Sequence, residues 1–143
     1  IKAGKAISAT EILVNPDLAA SALFNRDVVA DTTIANNQTT PQPISGVIYD
    51  GATFRAATIA YSIYRRTDSN EVAEVGQLRI AYKTDAATWS ISNDFSGDDA
   101  GVDFTIDATG QLLYTSSDLA GANYSSDLKI QTKDLYNARN IKV

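Results

Sequence analysis

The 143-residue chain contains no cysteine, no histidine and no methionine. Without thiols there is no disulfide framework, no thiolate nucleophile and no cysteine-bound metal. Without imidazole there is no Ser-His-Asp triad and no histidine-ligated zinc. Cations are also scarce, at 12 Lys and Arg against 17 Asp and Glu, a net charge of −5. Nucleic-acid binding rests on clustered Lys and Arg that displace phosphate counterions, so this balance argues against it. Long apolar runs are missing as well. Every apolar stretch falls well short of the roughly 20 residues that span a bilayer, so the expected protein is soluble and free of membrane. Ile1-Lys2-Ala3-Gly4-Lys5 is followed by no apolar h-region, so it does not read as a signal peptide. A start at Ile1 fits a processed chain or an excerpt.

What is present is a strong period-two pattern from Val47 onward. Ile59, Tyr61 and Ile63 alternate with Ala60, Ser62 and Tyr64, and Leu78, Ile80 and Tyr82 repeat the pattern. Trp89 pairs with Ile91, and Val102-Asp103-Phe104-Thr105-Ile106 alternates cleanly. Leu112 with Tyr114, Leu128 with Ile130, and the short run Ile141-Lys142-Val143 follow. Asp, Asn, Ser and Gly clusters separate these runs, among them Asp68-Ser69-Asn70, Ala108-Thr109-Gly110 and Gly121-Ala122-Asn123. Short strands divided by turns predict an all-β fold, an antiparallel β-sandwich or a barrel-like variant of it.

The first 45 residues read differently. Glu11-Ile12-Leu13-Val14 is a candidate strand, and Asn15-Pro16 can cap a short helix over residues 17–24. Residues 27–35 form a further candidate strand, and the polar run from Asn36 to Pro43 reads as an extended connector. The expected division is an N-terminal arm or assembly segment over 1–35, a Pro/Gln/Thr connector over 36–45 and a β-sandwich body over 46–143.

Three constellations compete for function. Asp94, Asp98, Asp99 and Asp103 surround Gly97 and Gly101, and such a run offers the oxygen ligands that calcium prefers. The spacing does not fit an EF-hand loop, and a solvated turn is the commoner role of such residues. No other cofactor is implied. Tyr64, Arg65 and Arg66 form a candidate contact surface, with the arginines suited to bidentate carboxylate binding or to an ordinary solvated strand end. Tyr and Trp side chains such as Tyr64 and Trp89 are candidate platforms for a cell-surface glycan, although strand alternation assigns Trp89 and Tyr82 to the core. Paired carboxylates for glycoside cleavage exist by chance among 17 acids, and none falls in a recognisable motif. The expected protein is not an enzyme.

The segment Ala60-Tyr61-Ser62-Ile63-Tyr64-Arg65-Arg66-Thr67 lies between Ile44-Ser45-Gly46-Val47-Ile48-Tyr49 and Gly76-Gln77-Leu78. Beyond them come Trp89-Ser90-Ile91, the run from Gly97 to Phe104, and the run from Gly110 to Ser116. This succession resembles a β-rich module of tailed-bacteriophage structural proteins, tail-fibre-like or otherwise surface-exposed, over residues 31 to 132. The resemblance implies a non-enzymatic sandwich in a virion, extracellular, assembling with copies of itself as a trimer or higher form and with other virion proteins. It carries over no functional residues. The arm, through Glu11, Ile12, Leu13 and Val14, is the expected strand donor to a neighbour's open edge. A secreted bacterial or archaeal filament subunit, polymerising by the same arm, shares these features, and a polysaccharide-binding module is the third reading.

Overall fold

The computed structural model describes residues 29–137. The candidate strand Glu11-Ile12-Leu13-Val14, the short helix over 17–24 and the run 141–143 lie outside the described residues. Within them run eight strands: β1 (Val29–Thr32), β2 (Gln42–Ile48), β3 (Phe54–Arg66), β4 (Glu71–Lys83), β5 (Thr88–Gly97), β6 (Val102–Ile106), β7 (Gln111–Ser116) and β8 (Ser125–Tyr136). They form two antiparallel sheets, one ordered β1-β8-β3-β4-β5 and the other β2-β7-β6. The architecture is therefore the expected sandwich, and its sheets do not close into a barrel.

Strand alternation builds the core. Ile59, Tyr61 and Ile63 of β3, Leu78 and Ile80 of β4, and Leu128 and Ile130 of β8 are buried. They belong to one cluster with Ile44, Val47, Val102, Phe104, Leu112 and Tyr114 of the smaller sheet. The long β3–β4 hairpin runs in unbroken register from Ala56↔Ala81 to Arg66↔Glu71. Apolar burial at roughly 25 cal/mol per Å2 is the dominant favourable term in such a two-layer fold.

The boundaries expected near residues 35 and 45 both move. Residues 29–32 are a sheet strand, pairing Ala30↔Ile130 and Thr32↔Leu128, and Ile34 is fully buried. The connector does not run to residue 45, because β2 starts at Gln42. Pro43 is tolerated there because β2 is a margin strand, where a missing N–H breaks no interior ladder. Gly46, at φ +85°, lies in a stretch where the β2–β7 register shifts between Pro43 and Ile48. Ile44 and Val47, three apart, are both buried as a result, and simple alternation is lost.

The loops gather at two ends. At one, the segments 33–41, 67–70, 98–101 and 117–124 are cross-linked, for example by Asp68 N–H to Ala122 O and Ser117 N–H to Gly101 O. At the other, Tyr49, Phe54, Tyr82, Trp89 and Tyr136 form a chain of ring contacts with centroids 4.9–6.1 Å apart. Gly110 belongs to this aromatic end. Its φ is +88°, and a Cβ there would stand 1.7 Å from the Tyr49 carbonyl oxygen.

Candidate assembly surface

Period two assigns Arg65 to the same face as Ile59, Tyr61 and Ile63, and the structure obeys that parity. Arg65 is 1% exposed. This corrects the expectation of a solvated strand end or an exposed carboxylate binder. The guanidinium donates through Nε to Tyr124 Oη (3.1 Å), through Nη2 to Asn36 Oδ1 (2.8 Å) and Ser117 O (2.6 Å), and through Nη1 to Ala100 O. The Tyr124 ring also lies 5.5 Å from its Cζ. Glu74, likewise buried, accepts from the Ala100 N–H (2.8 Å) and from the Tyr61 hydroxyl (2.6 Å). The Ala100 peptide thus stands between a buried cation on its carbonyl and a buried anion on its amide. Burial first, and the hydrogen bond to Glu74 second, push the Tyr61 hydroxyl pKa well up.

Asn36 completes this hub. Its Oδ1 also accepts from Leu119 N–H (2.8 Å), and its Nδ2 donates to Asp118 Oδ1 (3.1 Å). Thr67, also buried, donates to Ala120 O (2.7 Å). Four loops are therefore held by charge-assisted or buried bonds, which are the strong ones. The sequence reading missed Glu74, Thr67 and Asn36. The parity of β3 and β4 was the available signal for the first, since Glu74 pairs across from Ile63.

The four acidic-loop residues do not converge. Asp94 pairs with Gln77 on the solvent face of β5, and Asp98 Oδ2 accepts from Ala73 N–H (3.0 Å). Asp99 Oδ1 accepts from Gly101 N–H (3.0 Å), and Asp103 sits on β6 opposite Thr115. Among the described residues there is no group of three or more acidic side chains that could hold a metal ion. Asp98 and Asp99 act as backbone caps on the turn, the ordinary use of Asp beside glycine.

The outward face of the larger sheet holds the rest of the proposed contact surface. Tyr64 is 37% exposed, and its hydroxyl donates to Glu71 Oε2. Arg66 lies one row further, opposite Glu71 and Ser125. Tyr64 and Arg66 therefore share a surface, and Arg65 is on the opposite side of the sheet. Lys129 bridges Asp31 (3.0 Å) and Asp127 (3.2 Å) across β8 and β1. Three open concavities on this face all include Ala60, where side chains along β3 are small. At the sheet margin, β5 runs ten residues with one charged side chain, Asp94, and neither proline nor lysine. Val75 on this face is 56% exposed, and Phe95, across from Gly76 on the inward parity of the β5 margin, is 43% exposed.

No protein-family model matches the chain, and no curated protein sequence does. Among solved structures, the chain is similar to the tailspike protein of Acinetobacter phage vB_ApiP_P1, with a TM-score of 0.45 and 14% identity. The likeness covers 76% of this chain and 22% of that one.

Proposed function

We propose that this chain is a non-enzymatic structural module of a phage virion, of tail, tail-fibre or capsid-surface type, working by assembly with copies of itself and by attachment. The observation that supports it best is the β5 margin. Sheet edges in monomeric proteins are blunted by short length, lysine, proline or covering loops. β5 has ten residues, one charge and exposed Phe95, and so keeps the features of a strand made to be covered. The sequence resemblance to phage surface modules supplies the virion context.

A filament subunit is the second reading, favoured by the position of the two outer strands. β1, which follows the N-terminal 28 residues, and β5 occupy opposite margins of one sheet. A donor beside one margin and an acceptor at the other make a heterologous contact, which closes into rings or extends into filaments. Sedimentation velocity of the full chain over a wide concentration range tests both. Trimers or larger species are expected, and a Phe95→Lys change at the margin should shift them toward monomer. A monomer at every concentration would rule out assembly. Electron microscopy of the same samples separates closed particles from filaments.

A further inference from the structure

Among the described residues, the cations are confined to one sheet, whereas acids stand on both. All seven described Lys and Arg side chains lie on β3, β4 and β8. The smaller sheet with its flanking segments, residues 33–53 and 98–124, holds six Asp and neither Lys nor Arg. On the outward face of the larger sheet, Arg79, Thr58 and Lys133 form one row across three strands. The two cations therefore stand about 10 Å apart, two strand spacings. Lys83 lies further toward the aromatic end, opposite Thr88. Between these rows are Ala56, Ala81 and Ser90, with Leu135 58% exposed. This half of the face has three exposed cations, small side chains that permit close approach, and no carboxylate in its rows.

The outward face of the smaller sheet is the complement. Ile48 is 53% exposed there, Leu113 and Thr115 of β7 are half-buried, and Thr105 and Asp103 of β6 are exposed. Asp103 is the one charged residue on its three strands.

Resting on the assembly reading above, we infer that the Arg79–Lys83–Lys133 face docks against the Asp103 face of a second copy of this chain. A like-on-like contact would set cation against cation, or carboxylate against carboxylate, and cost free energy. The head-to-tail contact sets opposite signs together around Leu135, Ile48 and Leu113. Such a contact is heterologous, so it propagates to a ring or a filament and never stops at a two-fold dimer. The lone Asp103 beside apolar and small residues also leaves the smaller face with little charge to desolvate, as interface centres require.

The test uses two charge reversals in the full chain, R79E/K133E and D103K/T105K, all four positions being exposed. Sedimentation equilibrium should show that each variant alone self-associates about tenfold or more weakly than wild type, as expected for two contacts of roughly 1 kcal/mol each. Wild-type association should also weaken when salt is raised from 0.05 to about 1 M. An equimolar mixture of the two variants should regain multi-copy species, because each now complements the other. Recovery on mixing excludes simple misfolding. Association that is unaffected by either reversal overturns the docking geometry and leaves assembly standing. Loss with R79E/K133E and none with D103K/T105K also overturns it, and points to a different patch of the second copy as the partner of the cationic face. A wild-type chain that stays monomeric overturns both.

Discussion

Removing the Arg65 guanidinium should unlock the four-loop end of the sandwich. In Arg65→Ala the Ala100 and Ser117 carbonyls and Asn36 Oδ1 lose a donor, and Tyr124 loses both a hydrogen bond and a cation over its ring. The buried Ala100 carbonyl is left to lose about 1–3 kcal/mol, whereas Ser117 O keeps the Asn37 N–H and Asn36 Oδ1 keeps the Leu119 N–H. Glu74 would meanwhile remain as a buried anion whose polarising cation across the Ala100 peptide has gone. The expected loss is about 3–5 kcal/mol, the range seen when one member of a buried charged network is removed. Against a total of about 5–15 kcal/mol this is a large share. It corresponds to a fall in Tm of roughly 12–20 °C for a domain of this size. Urea unfolding followed by the fluorescence of the single tryptophan gives the value directly. Arg65→Lys should lose about half as much, because one ammonium reaches fewer acceptors than the guanidinium fork. Arg66→Ala, one position along on the open face, should change stability by no more than about 0.5 kcal/mol. A loss under about 1 kcal/mol for Arg65→Ala, or equal losses at 65 and 66, would refute the hub.

At the aromatic end, Gly110→Ala should cost about 2–4 kcal/mol, since φ +88° strains any side chain and the Tyr49 carbonyl occupies the site of the Cβ; thermal melting at unchanged m-value in urea checks it. Tyr61 makes stability depend on alkaline pH. Its folded-state pKa lies above the unfolded value of about 10, so its contribution is complete below that pH and is lost as pH rises beyond it. Tyr61→Phe should flatten the decline in Tm above about pH 10, and an unchanged slope would contradict the Tyr61–Glu74 bond.

The parts of the fold that were legible in advance follow strict period two. β6 spans Val102–Ile106, the very run in which alternation is cleanest, and β3, β4 and β8 contain the runs expected of them. Legibility failed where a bulge or a proline breaks the period. In β2 the register shift lets Ile44 and Val47 both turn inward, so the segment resembles a connector. Charge was the second source of error. Arg65 falls on the inward parity, yet an arginine at a strand end reads as solvated when judged by residue type. Its burial depends on acceptors from residues 36, 100, 117 and 124, which only tertiary folding assembles. Acid clustering along the chain is not clustering in space, because Asp94 and Asp103 are near in sequence but stand on strands of different sheets.

That last case bears on the assembly surface. A linear charge profile mixes cations and acids along much of the chain, and the net value of −5 describes neither side of the molecule. Topology sorts the cations: the chain crosses between sheets at β1–β2, β2–β3, β5–β6 and β7–β8, so two cation-free stretches, 33–53 and 98–124, are folded into one layer. The cations remain on the strands of the other layer, mostly on its solvent face. On the docking geometry inferred above, copies stack front to back, with the Arg79–Lys83–Lys133 face of one against the Asp103 face of the next. In that arrangement a contact through the β5 edge would lie in the plane of the sheet, and one through the Arg79–Lys133 face would lie perpendicular to it. Phe95→Lys should therefore remove association along one direction and leave the other, and R79E/K133E should do the reverse, as sedimentation of each variant would read. If either change alone abolishes all association, the two surfaces are not independent, and one contact serves the whole assembly.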